Sequence, residues 1–239
     1  MCYTRRVAKR GVQTEMVLNT HGGKRKNAGR KQTKARKSES HRRRETITPA
    51  ECAHVVIRVD RVVGGLRRWK CYRAINRALR VVATRAAFRI VHASIQRTHV
   101  HLLVEADDAG ALASGMQGFQ ISAARQLNRE LGRERGGVFV DRYHATLIRS
   151  PVQCRNALNY ILNNWRKHQE QHVRGREHWI LDGFSSAIRF AGWREQSVCR
   201  MPDRYEPLAV SAPVTWLVRA GWGKAGPISM HATPAQRAG

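Results

Sequence analysis

Acid is what this chain lacks. Its 239 residues hold 17 Asp and Glu against 44 Lys and Arg, a formal charge of +27 and a sequence pI near 11.4. Self-repulsion on that scale calls for a polyanion nearby. Nucleic acid is the commonest one, and an anionic membrane surface is the competing reading. Long apolar runs are missing too. No stretch of about 18 apolar residues is available to cross a bilayer, and no charged-then-apolar start resembles an export leader. The expected partner is therefore nucleic acid, with no membrane. Cysteine is sparse and unpaired: Cys2, Cys52, Cys71, Cys154 and Cys199 lie far apart with no CxxC. An odd count without a framework excludes a disulfide scaffold or a zinc ribbon and fits reduced thiols in a cytosol.

What is present divides the chain in three. Residues 1–50 are basic and poor in apolar side chains, with eleven Lys and Arg between Lys24 and Arg44 against a single Glu39. Such a block buries too little surface to fold alone, so a disordered arm lying along phosphates is expected, with Lys24, Arg25, Lys26, Arg30 and Lys31 as contacts. "NAGRKQ" hints at a minor-groove hook but lacks the following proline, and a nonspecific electrostatic tail is the plainer reading. Residues 51–170 carry alternating and helical patterns. Residues 171–239 are loop-rich with small aromatic clusters, an appendage that becomes a loose tail from about Gly223.

Within the middle segment, "HVVIRV" is a β-branched strand. The helix after it carries Trp69, Tyr72, Ile75, Leu79, Val82 and Ala86 at helical spacing. "RIVHASIQ" and "HVHLLVEA" alternate on either side of Arg97-Thr98. A second helix repeats Leu112, Met116, Phe119, Ala123, Leu127 and Leu131, and Gly132 to Gly137 end it. "VFVDRYHATLIR" is another strand. Ser150-Pro151 then opens a third helix, "VQCRNALNYILNNWRKH". The order β-α-β-β-α-β-α predicts an α+β, ferredoxin-like antiparallel sheet with two helices on one face and an extra C-terminal helix.

Two histidines interrupt the strand "HVHLLVEA". If Arg97-Thr98 is a two-residue hairpin turn, Gln96 faces His99, Ser94 faces His101 and His92 faces Leu103. Ile95 then meets Val100, Ala93 meets Leu102 and Val91 meets Val104, so one face is wholly apolar and the open one carries the imidazoles. A one-residue slip would bury the imidazoles and expose the valines. Two imidazoles about 7 Å apart on one face suit a metal or a phosphate; the alternative is polar side chains on a wet sheet.

On the third helix Cys154, Leu158, Ile161 and Trp165 fall on one stripe. Tyr160 lies away from it with Gln153, Asn156, Asn164 and Lys167. A tyrosine used only for packing belongs on the stripe, although stacking at an interface would also place it off. Tyr160 and Asn164, four residues apart, reach the same point.

"HVHLLVE" followed some sixty residues on by "NYILNN", with "RYHATLIRSP" before the helix, resembles the HUH single-tyrosine transposases, which include insertion-sequence and REP-associated tyrosine transposases. The resemblance covers residues 54 to about 168. It implies that His99, His101 and Asn164 bind Mg²⁺ or Mn²⁺ and that Tyr160 is the nucleophile. It further implies cleavage and rejoining of single-stranded or hairpin DNA through a 5′-phosphotyrosine link in DNA transposition, in a cytoplasmic, nucleoid-associated bacterial protein. Relatives act as monomers or as homodimers in which Tyr160 of one chain would meet the histidines of the other. The residue types suit that chemistry: a free phenol is a weak nucleophile at neutral pH, and a divalent ion withdraws charge from phosphate oxygens. Trp165 stands where relatives often have proline, and Asn163 or His144 are alternatives to Asn164. Arg142, Thr146 and Lys167 would touch the DNA backbone, and Glu105, at the far end of the histidine face, fits a structural salt bridge.

Two other functions fit the same elements. One is a ferredoxin-like nucleic-acid binder without chemistry, disfavoured because its open face shows His, Ser and Gln where RNA-recognition sheets show aromatics. The other is an HUH relaxase or replication initiator, against which the single tyrosine and short length speak.

Overall fold

A computed structural model describes residues 45–173, 179–196, 199, 201 and 204–234. The basic arm, with Cys2, Lys24, Arg25, Lys26, Arg30 and Lys31, lies outside the described residues. The elements follow the expected order: β1 Cys52–Arg58, α1 Trp69–Val82, β2 Phe88–Ile95, β3 His99–Ala106, α2 Ala109–Glu130, β4 His144–Ile148 and α3 Pro151–Lys167, with a short α4, Trp216–Arg219, near the end. The four strands form one antiparallel sheet in the order β2-β3-β1-β4.

Local chemistry sets the boundaries. Asp108 caps α2 by accepting from the Ala111 N–H at 2.7 Å, and Gly132, at φ 66°, turns the chain away from the helix end. Ser150 and Gln153 close a reciprocal capping box on α3, with Pro151 in the first turn, where its missing N–H costs nothing. Gly115 lets α2 approach β2: a Cβ there would fall 2.1 Å from the Phe88 ring.

The hairpin pairs as its turn length requires. The Gln96 N–H donates to the His99 carbonyl at 2.9 Å, and Ile95, Ser94, Ala93 and His92 oppose Val100, His101, Leu102 and Leu103. The predicted register departs at one point. A bulge at Val91 makes Ile90, not Val91, the partner of Val104, and the extra residue joins the core on the opposite face.

Two cores flank the sheet. Val55, Ile57, Val100, Leu102 and Val104 pack with Ile75, Leu79, Met116 and Phe119 of α1 and α2. The other face, expected to be open, is covered. There Cys52, Val91 and Leu103 meet Cys154, Leu158, Ile161 and Leu162 of α3 together with Leu181, Phe190, Leu217, Ile228 and Met230. Ile228 and Met230 are fully buried, so the chain beyond Gly223 is packed at least to Met230 and is no loose tail there. Two buried carboxyl groups tie earlier parts of the region after α3 to the rest of the fold. The Glu105 carboxylate accepts from the Val214 N–H, the Thr215 N–H and the Thr215 hydroxyl at 2.8, 3.0 and 2.7 Å; the salt bridge expected of it is a longer contact, with Arg89 Nε at 3.9 Å. Asp182 accepts two bonds from Arg67, at 3.0 and 2.7 Å, and Arg67 also reaches the Ile95 carbonyl and pairs with Glu170.

Other expectations need correction. Trp69 is 42% exposed, not buried on the α1 stripe, because it stands at the first turn and stacks on Phe184 instead of the sheet. Ala86 falls beyond α1, and Leu131 is its helix's C-cap and only partly buried. The last strand is shorter than its pattern: Val138 to Tyr143 approach β1 and the residues just past it through an isolated Val59–Phe139 bridge, the Asp60 N–H to Val138 carbonyl bond and the Val140 N–H to Arg58 carbonyl bond.

Candidate active site

Strand pairing sets two rows of side chains on the face toward α3. One row runs Ser94, His101, Val56, His144, and the next runs His92, Leu103, His54, Thr146. His99 and His101 turn their rings together, and their Nε2 atoms lie 2.8 Å apart. At the outer end the Thr98 Oγ1 is 3.2 Å from His99 Nδ1. At the inner end His54 Nε2 is 3.0 Å from His101 Nδ1. His54 was not among the residues picked from the sequence. Its signal was the alternation of "CAHVVIR", which puts His54 and Val56 opposite the buried Val55 and Ile57, but only the β1–β3 pairing brings it to His101.

From α3 the Tyr160 ring arrives edge-on to His101, with centres 5.2 Å apart and planes at 90°. It also meets His54 at 5.7 Å. The helix buries Cys154, Leu158, Ile161 and Trp165 as predicted and leaves Tyr160 partly exposed. Lys167 places its Nζ 5.1 Å from the centre of the Tyr160 ring. His168, unremarked in the sequence beyond ending the helix, comes to 6.0 Å from the His99 ring.

One turn past the tyrosine, Asn164 is fully buried, and neither its amide oxygen nor its nitrogen has a hydrogen-bond partner. Such a group costs about 1–3 kcal/mol unless something else meets it. Asn163 donates its amide nitrogen to Asn159 Oδ1 and to the Ser229 carbonyl at 2.9 and 3.0 Å, while its buried Oδ1, like that of Asn164, has no hydrogen-bond partner. His144 lies exposed at the start of β4, two strands from His101 in the same row, with its Nε2 3.3 Å from Thr146 Oγ1. Arg142 is exposed just before that strand. Gln153, grouped with Tyr160 on the helical wheel, is taken up by the capping box.

Burial governs the electrostatics. It pushes His99 down to about 4, with His168 and Arg58 adding to the effect. It pushes His101 well below the ordinary imidazole range, helped by His54, His99, His168 and Lys167. His168 is lowered too, by burial and then by Lys167. Both central imidazoles are therefore neutral at pH 7, the form that offers lone pairs.

Among the described residues no three His, Cys, Asp or Glu side chains are grouped to hold a metal. The candidate donors are of another kind: two imidazole nitrogens that converge, and on α3 the unpartnered buried amide of Asn164, which makes no hydrogen bond to either ring. Imidazole and amide donors of this kind fit a divalent cation that keeps positions free for phosphate oxygens. The arrangement is a tyrosine phenol from α3 beside two neutral imidazoles on a sheet face. Residues 51–164, which include His54, His99, His101, Tyr160 and Asn164, match the family model described as Transposase IS200 like. The domain they form belongs to that transposase family. A solved structure of a REP-associated tyrosine transposase bound to a REP hairpin aligns with a TM-score of 0.50 at 18% identity, over 74% of this chain and 100% of that one. At that identity the likeness is one of fold. No curated protein matches the chain. Among the described residues no helix is long and apolar enough to cross a membrane.

Proposed function

We propose that this chain cleaves and rejoins single-stranded or hairpin DNA in DNA transposition, with Tyr160 as the nucleophile. The observation that carries the reading is the meeting of the His99 and His101 Nε2 atoms at 2.8 Å beside a tyrosine ring 5.2 Å from His101. The Tyr160 oxygen attacks the scissile phosphorus and gives up its proton. The bond from phosphorus to the 3′ oxygen breaks, that oxygen leaves as a hydroxyl, and the 5′ phosphate stays on the tyrosine. Attack of a 3′ hydroxyl on this phosphotyrosine reverses the exchange and rejoins a strand. Because one phosphodiester replaces another, no outside energy source is needed.

His99, His101 and Asn164 would hold Mg²⁺ or Mn²⁺, whose Lewis acidity draws charge from the phosphate oxygens. The residues around them have their own tasks. Lys167 lies over the phenol, where its charge offsets the one that develops as the proton leaves. Cys154, Leu158 and Ile161 pack α3 against the sheet and so set the reach of Tyr160. Arg142 and Lys167 contact the DNA backbone, and Lys24, Arg25, Lys26, Arg30 and Lys31 add salt-sensitive affinity.

Labelled hairpin DNA with a single-stranded flank, incubated with the protein and Mn²⁺, should yield an adduct that survives denaturation. Tyr160→Phe and chelation should each abolish it. Binding of varied hairpins without any wild-type adduct would mean that the sheet only binds nucleic acid.

A further inference from the structure

The proposed reaction assigns no task to His54, yet this side chain touches His101, the more deeply buried of the two central imidazoles. Its Nε2 is 3.0 Å from His101 Nδ1, its ring centre 5.1 Å from that of His101 at 33°, and His101 is 3% exposed. Three rings and a hydroxyl form one file: Thr98 Oγ1, His99, His101, His54, linked at 3.2, 2.8 and 3.0 Å. A neutral imidazole carries one N–H, so in each ring one nitrogen donates and the other accepts. Each link therefore constrains the next.

We infer that His54 is a positioning residue that accepts the His101 Nδ1–H and so holds the His101 Nε2 lone pair toward the cation position. The inference rests on the metal reading above. Two directions of donation satisfy the file without metal. In the first, the Thr98 hydroxyl donates to His99 Nδ1, His99 Nε2–H donates to His101 Nε2, and His101 Nδ1–H donates to His54. In the second every bond is reversed. The first is the one that leaves His101 ready to bind. His101 is shut off from solvent, so a ring in the wrong tautomer has no water with which to exchange its proton. His99 is partly exposed and abuts a hydroxyl that rotates to donate or accept. His99 can therefore move its proton from Nε2 to Nδ1 when a cation enters, with Thr98 turning to accept it. The proton count is unchanged, and both Nε2 lone pairs then face the ion. A histidine ligand held through its other nitrogen is the usual way a protein fixes ring orientation, and loss of such a partner weakens metal binding about 10–100-fold.

The test uses the full chain carrying Tyr160→Phe and ¹⁵N-labelled histidine. Two-bond proton–nitrogen spectra of the metal-free protein should show His101 protonated at Nδ1 and His99 protonated at Nε2. Mn²⁺ should move the His99 proton to Nδ1 and leave His101 unchanged. His54→Phe should mix the His101 tautomers and weaken Mn²⁺ binding about 10–100-fold, read from the free-ion paramagnetic resonance signal. His54→Gln, whose amide oxygen can accept the same bond, should recover most of that affinity. A His101 found protonated at Nε2 in the metal-free protein overturns the inference, and so does unchanged Mn²⁺ affinity in a folded His54→Phe. A protein that takes up no Mn²⁺ but shows the stated tautomers sinks the metal reading and leaves the His54–His101 bond standing.

Discussion

Tyr160 and His101 meet edge-to-ring within a single chain, their centres 5.2 Å apart, although one comes from α3 and the other from β3. The nucleophile and the donor pair of the proposed site are thus complete in one copy. In the proposed reaction Tyr160→Phe would lack the nucleophile and His101→Ala a metal ligand. A mixture of the two variants should therefore form no more DNA adduct than either alone. Recovery of adduct in the mixture would show that the tyrosine serves a second copy. His101→Ala should also keep most of the wild-type affinity for hairpin DNA, since on the proposed reading phosphate contacts from the basic residues supply most of it.

Asn164 separates function from stability. Its buried amide has no hydrogen-bond partner, so Asn164→Leu, similar in volume, removes an unmet polar group. Urea denaturation in the presence of chelator should show a gain of about 1 kcal/mol, while Mn²⁺ affinity and adduct formation fall together. A stability loss above about 1 kcal/mol would mean that the amide holds the fold through contacts of its own.

His92 predicts an acid-sensitive fold. Buried, with Nδ1 3.0 Å from Ser186 Oγ, it is pushed down by desolvation to about 4. In the unfolded chain its pKa is about 6.5. The unfolded state therefore takes up a proton first as pH falls, and the stability from burying a neutral ring is full above pH ~6.5 and lost on the way down through ~4. Its size is about 3 kcal/mol. Denaturation curves from pH 7.5 to 4 should be flatter for His92→Gln than for wild type, and parallel curves would refute the assignment.

The Glu105 anchor is tested by Glu105→Ala. Three donors on Val214 and Thr215 would lose their acceptor, at a cost of about 3 kcal/mol. Amide exchange at Val214 and Thr215 should quicken more than exchange in α1 or α2. If only global stability falls, with no local preference, the carboxylate is not what ties this segment to β3.

Local periodicity carries a long way here, because it needs only neighbours in sequence. Alternation and a two-residue turn determined the β2–β3 register from Ile95 to His92, and helical spacing separated Tyr160 from the buried stripe of Cys154, Leu158, Ile161 and Trp165. The basic excess was plain in composition alone. Contacts between distant segments were not legible in this way. That β1 lies beside β3 and brings His54 to His101, that α3 and the residues around Ile228 and Met230 close the histidine face, and that Trp69 stacks on Phe184 all depend on which surfaces pack together. The pattern of one strand says which face is polar, but only packing of the whole chain decides whether that face meets water or becomes a buried site.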